Sequence, residues 1–163
     1  MAETLSVTDM LPNKFEPKRQ FRWIFAIEGI DSFLMKSAAR PSMEIANVEI
    51  PWINTKRYLA GRITWGTLAI VLHDPIAPSG AQQVMEWIRT HQETVSGRTG
   101  YADFYKRDCQ IKLLDPIGTV VELWDIKGAM LTEVAYGDLN YEGDSEPVEV
   151  SFTLRFDNCV LQF

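Results

Sequence analysis

The sequence has 163 residues, of which 46% are hydrophobic and 23% are charged. This composition is typical of a globular protein and excludes a wholly disordered or collagen-like chain. The net charge of −6 disfavours a nucleic-acid-binding protein with a basic surface, and no apolar run approaches the roughly 20 residues of a membrane-spanning helix. We therefore expect one domain over residues 1–163 that is made in a cytosol and does not insert into a membrane.

The first strand is predicted after a polar N-terminal arm, residues 1–19. Large apolar residues alternate with more polar ones over residues 21–27, which is the period of a β-strand with one buried face. Residues 28–31 predict a turn, after which residues 33–38 return as the second arm of a hairpin that Pro41 ends. The apolar face of this first strand consists of Phe21, Trp23, Phe25 and Ile27.

Two further strands are predicted before the helix. One covers residues 43–50 and is followed by a long, partly extended connection over residues 51–61. The other covers residues 68–73 and is apolar on both sides, so we expect both of its faces to be covered.

One amphipathic helix is predicted from Ser79 onward. Ser79 and Gln82 have the spacing of a capping box, and Gly97 and Gly100 are expected to end the helix. The residues that recur at intervals of three and four on its buried face are Val84, Trp87, Ile88, His91 and Val95.

The last third of the chain contains three more predicted strands. Residues 109–114 and 119–127 flank a Pro- and Gly-containing reversal at residues 115–118, and residues 148–156 alternate strictly. Together, about seven strands and one helix predict a mainly β protein, namely an antiparallel β-sandwich or barrel with one flanking α-helix.

The sequence contains no recognisable catalytic or metal-binding motif. No phosphate-binding, dinucleotide-binding, serine-hydrolase or zinc-protease motif occurs, so no catalytic residue, cofactor or metal site is predicted. Residues 138–149 match a calcium-binding EF-hand loop only in part and lead straight into a strand, which predicts an acidic loop between strands instead. Cys109 and Cys159 are predicted to be small buried residues, and His73 and His91 to be structural.

Two basic clusters each allow two interpretations. Residues 18–23 combine Lys and Arg with aromatic residues, which fits either single-stranded nucleic-acid binding or a strand with a buried aromatic face; the buried face is favoured. Lys56, Arg57 and Tyr58 allow the same two interpretations, but they lie on the predicted long connection between large apolar residues. That position favours a contact with another protein.

Charge is distributed unevenly along the chain. Residues 1–62 hold nine Lys or Arg and seven Asp or Glu, a balance of +2, whereas residues 63–163 hold seven and fifteen, a balance of −8. From Glu133 onward, seven acidic residues are accompanied by Arg155 alone among Lys and Arg. This excess indicates either a solvated acidic surface or a role in assembly or in repelling a polyanion.

The order of these segments resembles the tail tube proteins of contractile-tailed bacteriophages. The resemblance covers about residues 21–157. It rests on QFRWIFAIEGIDSFLMKSAARP, on INTKRYLAG before the next strand, and on DIKGAMLTEV before the acidic loop. It implies that residues 1–163 form a single tail-tube domain with an extended arm at residues 1–19.

The resemblance implies a structural virion protein rather than an enzyme. Six copies would form a ring, and stacked rings would form the hollow inner tube that conducts the genome into the host, with sheets joined edge to edge around the bore. Its partners would be copies of itself, the tail sheath, the baseplate, the tail terminator and a tape measure protein in the lumen. Double-stranded DNA would pass without specific binding, because a neutral or acidic wall does not hold phosphates. Assembly would occur in the host cytoplasm, and the product would reside in the virion tail.

The resemblance also implies two sets of site residues. The segment 53–61 would reach the adjoining ring through Ile53, Asn54, Lys56, Arg57 and Tyr58. The polar sides of two strands would line the bore through Glu44, Glu49, Glu149, Ser151 and Thr153, with ordinary solvent or a neighbouring subunit as the equal alternative for each. The resemblance further implies a heterologous interface, in which each subunit presents one surface to a different surface of its neighbour. Unlike charges on these two surfaces would attract successive subunits.

Two alternatives to a phage tail tube remain open from the sequence. The first is the inner tube of a phage-like contractile injection system, which uses the same architecture to deliver a protein. The second is a monomeric β-barrel that binds a small ligand in its interior, although such a barrel would not predict a long apolar and basic connection.

Overall fold

The described residues, 15–143 and 145–163 of a computed structural model, form two layers of antiparallel strands that share one long strand. The main sheet has the order β1-β6-β7-β8-β5-β2, with β9 paired to β7, and β3 and β4 pair with each other as a separate hairpin. The strands within these ranges are β1 (Trp23–Ile27), β2 (Met35–Ala38), β3 (Met43–Trp52), β4 (Thr55–Trp65), β5 (Leu68–His73), β6 (Arg107–Leu114), β7 (Val120–Ala135), β8 (Glu149–Arg155) and β9 (Asn158–Leu161). Helix α1 spans Gly80–His91, a single-turn helix α2 spans Ala102–Tyr105, and a 3-10 turn spans Ser32–Leu34.

Strand β7 passes from one layer to the other. Its first part pairs with β6 and β9, and its last part pairs with β8. Gly128 lies two residues before the pairing with β8 begins and has φ 67°, a left-handed conformation that glycine adopts without a steric penalty. A Cβ at this position would also overlap the Asp157 carboxylate. Glycine is therefore required where the strand changes layers.

The core lies between the layers and beneath α1. Alternate residues of β8 are buried, and the same alternation in β5 and β6 supplies most of the remaining core. Trp87 of α1 is fully buried, and Ser79 caps the helix by accepting a hydrogen bond from the Gln82 amide at 3.4 Å. The fully buried side chains include Phe25, Leu34, Leu68, Ile70, Leu72, Val84, Trp87, Ile126, Val150 and Leu154.

The predicted fold class is confirmed: the described chain is mainly β and antiparallel, with one principal helix. The reversal at residues 115–118 joins β6 to β7 as predicted, and the acidic segment joins β7 to β8. Both cysteines are free and buried, and burial raises the pKa of Cys109 to about 12 and of Cys159 to about 11. His91 is structural, because its Nδ1 lies 3.0 Å from the Trp87 carbonyl and its Nε2 accepts from the Leu131 amide at 3.3 Å.

Several predicted details are wrong. The described residues form nine strands rather than about seven, because β4 occupies the predicted connection and β9 follows β8. Strands β1 and β2 do not pair as a hairpin; β1 pairs with β6 and β2 with β5. Phe21 precedes β1 and is 75% exposed, and Val95 lies beyond α1 and is 95% exposed. Only one face of β5 is fully buried, since Ala69 on the other face is exposed.

Candidate assembly surfaces

The β3–β4 hairpin, residues 43–65, projects from the sandwich as a separate two-stranded sheet. Its strands are exposed along almost their whole length. Trp65 anchors its base by packing against the ring of Phe156 at a centroid distance of 5.7 Å. An isolated two-stranded hairpin is marginally stable in water, and the strands of this one pair only with each other.

The hairpin carries an unusual concentration of exposed apolar side chains. Exposed apolar residues that are contiguous mark interaction surfaces in soluble proteins. In this hairpin the large exposed ones are Met43, Ile45, Val48, Ile50, Trp52, Ile53, Tyr58, Leu59 and Ile63. The hairpin is therefore the first candidate assembly surface.

The tip of the hairpin contains two of the predicted ring-contact residues, Ile53 and Asn54. Ile53 is 93% exposed and has φ 47°, a left-handed conformation that is uncommon for a β-branched residue. Such a conformation costs on the order of 1–2 kcal/mol. A strained, exposed apolar residue at a loop tip is consistent with a contact function.

The strand register divides the other predicted contact residues between two faces. Paired residues of an antiparallel hairpin lie on the same face, and successive residues alternate. The first face, which we call the apolar face, carries Val48, Ile50, Trp52, Arg57 and Leu59. Lys56 and Tyr58 lie on the opposite face, where Lys56 forms an ion pair with Glu49 at 2.7 Å. The structure thus brings the contact residues onto one hairpin but does not align them on one face.

The predicted bore-lining residues also fall into two groups. Glu44 and Glu49 lie five positions apart on β3 and therefore point to opposite faces of the hairpin. Glu149, Ser151 and Thr153 share the outer face of β8, opposite the buried side chains of that strand. They form a second candidate surface, the β8 outer face, together with the neighbouring residues Ala69 of β5 and Glu133 of β7.

The basic residues near the N-terminus have partners within the chain. Lys18 is paired with Glu122, Arg19 with Glu16 at 3.3 Å, and Arg22 donates to the Asp115 carbonyl at 2.9 Å. Because these cations are already engaged, the cluster is not arranged as a free strip for nucleic acid.

Glu122 is a buried charged residue that sequence patterns do not single out. It is 5% exposed, and its carboxylate accepts from Lys18, from Trp124 and, at 3.4 Å, from Arg40. Burial opposes ionisation, but the hydrogen bonds from Lys18 and Trp124 outweigh it and hold the pKa of the Glu122 carboxyl below its usual value. Arg40 lies in the segment that leads into β3. Glu122 therefore connects the N-terminal segment and the root of the hairpin to β7.

Replacing Glu122 by glutamine is expected to destabilise the fold by about 1–3 kcal/mol at neutral pH, because two cations lose their shared carboxylate. A carboxyl with a lowered pKa in the folded state stabilises the protein above its unfolded-state pKa, and this contribution is lost as the pH falls through the folded value. Urea unfolding of both proteins across pH should show their difference shrinking below about pH 5. A difference that stays constant down to strongly acidic pH would contradict the assigned role.

Other kinds of site are not apparent in the described ranges. There, no group of three or more His, Cys, Asp or Glu side chains is placed to hold a metal ion. No helix in this part of the chain is long and apolar enough to cross a membrane.

Comparisons with known proteins give structural matches alone; no family model and no curated protein matches the sequence. The chain is similar to one in the cryo-EM structure of the anti-feeding prophage cap, a tube-terminating cap, with 18% identity, a TM-score of 0.75 and coverage of 97% of this chain and 99% of that one. A chain of the sheath–tube complex of the PVC extracellular contractile injection system in its extended state matches at 15% identity and TM-score 0.71, covering 98% and 99%. Hcp1 from Flavobacterium johnsoniae matches at 12% identity and TM-score 0.52, covering 87% and 95%.

The first two of these matches span nearly the whole of both chains. At such low identity they establish the fold, and this fold agrees with the one implied by the resemblance to tail tube proteins. The chain therefore has the fold of one chain in the anti-feeding prophage cap and of one chain in the sheath–tube complex of the PVC injection system.

Proposed function

We propose that this protein is the repeating structural subunit of the hollow tube of a contractile injection device and has no catalytic role. The observation that carries the proposal is the exposed β3–β4 hairpin on a fold shared with tube and cap assemblies. Six copies form each ring, and the rings stack into a tube. A large apolar hairpin surface is unfavourable in an isolated monomer and is stabilised when neighbouring copies cover it.

The β8 outer face is assigned to the bore. Most of its residues are small or polar, including Ala69, Ser151 and Thr153, and Glu149 is paired with Lys36. Arg155 at the end of this face is its one cation without an ion pair among the described residues. A wall with few unpaired cations does not retain a polyanion by counterion release. Glu49 is assigned to the hairpin interface instead, because its carboxylate is engaged by Lys56 on the hairpin itself.

The remaining partners follow from a tube of this kind. They are the sheath around it, the baseplate from which it grows, the terminator at its far end and a tape measure protein within its lumen. Such a particle is assembled in the host cytoplasm and, in a phage, becomes part of the virion tail.

The cargo distinguishes a phage tail tube from a protein-delivering device. The most extensive matches described above come from an anti-feeding prophage and an extracellular contractile injection system, which favours the device. Digestion of intact particles with nuclease tests this choice. Protected double-stranded DNA in the lumen would instead support the phage tail predicted from the sequence.

A ligand-binding barrel is disfavoured by the packing of the interior. Phe25, Trp87 and Leu154 are fully buried and occupy the space between the layers that an interior ligand would need. The hairpin, moreover, would have no role in such a monomer.

Negative-stain electron microscopy of the purified protein, combined with sedimentation velocity over a range of concentrations, tests the tube directly. We expect six-fold rings and hollow tubes whose proportion rises with concentration. A chain that remains monomeric throughout the range, and that also fails to add to tubes within isolated particles, would refute the proposal.

A further inference from the structure

The hairpin and the acidic loop between β7 and β8 lie at opposite ends of the layer formed by β2, β5, β8 and the last part of β7. Strand β2 ends at Ala38, which pairs with Ile70 near the start of β5. The segments that lead from these two strands into the hairpin are also joined, because the Gly66 amide donates to the Ser42 carbonyl at 2.8 Å. The hairpin therefore extends from that end. His73 of β5 and Glu149 of β8 pair at the other end, where residues 74–79 lead toward α1 and residues 136–143 and 145–148 lie between β7 and β8.

The apolar face of the hairpin has a cation without an ion-pair partner in the described chain. Lys56 is neutralised by Glu49 on the opposite face, whereas Arg57 forms no ion pair within residues 15–143 and 145–163. Arg57 pairs with Ile50 across the ladder and is bordered by Val48 and Leu59. A surface of this kind fits a partner that offers apolar side chains and a carboxylate together.

The opposite end of the molecule offers that combination. Ile76, Leu139 and Tyr141 are exposed at 103%, 84% and 110%. Glu142 adjoins Tyr141 in the chain, and Asp138 adjoins Leu139. Neither carboxylate forms an ion pair within the part of the chain that the structure describes.

We propose that the apolar face of one copy docks on the end formed by residues 74–79, 136–143 and 145–148 of a second copy stacked above or below it. This inference rests on the proposed tube and names the surface that receives the hairpin. Apolar side chains meet, and Arg57 lies among the carboxylates of the receiving end. The two surfaces differ, so the contact is heterologous and repeats without closing, which is the geometry of a growing filament.

The proposed docking gives the uneven charge along the sequence a role. The hairpin contains three basic and two acidic residues, whereas residues 136–148 contain acidic residues and no Lys or Arg. Since the two regions lie at opposite ends, stacked copies bring unlike charges together and like charges apart. Such complementarity fixes the direction of stacking as well as favouring it.

Cysteine cross-linking tests the docking pair without altering its charges. A chain carrying Thr55→Cys and Leu139→Cys places one thiol near the hairpin tip and one on the receiving end, and both positions are exposed. The native cysteines are buried and do not compete. On oxidation we expect a ladder of species larger than dimers on a non-reducing gel. Each single variant should give dimers at most, and Thr55→Cys combined with Glu86→Cys on the exposed side of α1 should give no ladder.

Charge reversal provides the second measurement. Arg57→Glu is expected to raise the concentration needed for tube formation at least about tenfold, equivalent to 1.4 kcal/mol per contact. Adding Asp138→Lys and Glu142→Lys to that variant should restore assembly. Tubes that form without a Thr55–Leu139 ladder, or a reversal that does not rescue, would overturn the docking pair while leaving the tube intact. Absence of tubes and rings from the unmodified protein would instead overturn the proposed function, and the docking pair with it.

Discussion

Truncating Trp87 to alanine is expected to lower the free energy of unfolding by about 3–5 kcal/mol. Trp87 is fully buried, and its indole Nε1 donates to the Tyr105 carbonyl at 2.7 Å. The Arg107 guanidinium lies 4.9 Å from its ring centroid. Alanine would leave a cavity between α1 and the sheet, remove the hydrogen bond that connects α1 to α2, and deprive Arg107 of its aromatic contact.

Urea unfolding followed by circular dichroism measures this loss, and two variants serve as controls. Trp87→Phe keeps most of the ring volume and is expected to cost about 1–2 kcal/mol through the lost hydrogen bond. Trp52→Ala removes the same side chain from the apolar face of the hairpin, where it is 68% exposed, and should change stability by no more than about 0.5 kcal/mol. A Trp87→Ala protein no less stable than the Trp52→Ala protein would contradict the assignment of the core.

The sequence predicts those elements whose burial is periodic. Strand β8 is recognisable because Val150, Phe152 and Leu154 are buried and the residues between them are not. Helix α1 is recognisable for the same reason, with Val84 and Trp87 on its buried face and Ser79 at its cap. In both cases one face meets the core of the same chain, and the pattern records that contact.

The hairpin escapes this kind of prediction because neither of its faces packs on the core. Apolar residues occur on both faces, so β4 shows no regular alternation and its sequence predicts a connection instead of a strand. Strand partners are equally hard to predict. The turn after β1 is formed, with a bridge between Ile27 and Ile30, yet β1 does not pair with the strand that follows this turn. It pairs with β6, about 80 residues further along the chain. Pairing over such distances depends on the whole fold rather than on local pattern.

The candidate site shows the same division. The exposed position of Lys56, Arg57 and Tyr58 follows from their neighbours in the sequence, but their distribution over two faces depends on the register of the hairpin. The register also separates Glu44 from Glu49. Glu122 could not be identified in advance, because a single glutamate in a strand carries no sign that two cations from distant segments will pair with it.

The side chains that stabilise the fold and the side chains proposed to join copies lie in different parts of the molecule. The buried side chains belong to the sandwich and α1, whereas the hairpin contributes exposed surface and is joined to the core mainly at Trp65. Substitutions near the hairpin tip should therefore change association without changing the stability of the monomer. This separation allows a loss of assembly to be distinguished from a loss of folding.

Replacing both Lys56 and Arg57 by glutamate is expected to abolish tubes and stacked rings while leaving the unfolding free energy within about 0.5 kcal/mol of the original. The change reverses the charge of the hairpin next to the tip, where the apolar face would meet a second copy. Electron microscopy and sedimentation velocity measure assembly, and urea unfolding measures stability. Arg89→Glu, an equivalent reversal on the exposed side of α1, is the matched control and should still assemble.

The two single variants separate the faces of the hairpin. Arg57→Glu should account for most of the effect, because Arg57 has no ion-pair partner in the described part of its own chain and lies on the apolar face. Lys56→Glu should have the smaller effect on assembly, since Lys56 already binds Glu49 at 2.7 Å and its reversal acts first on the hairpin itself. Intact tubes from the double variant would show that this segment does not join the rings. A Lys56→Glu defect as large as that of Arg57→Glu would place the contact on the opposite face instead.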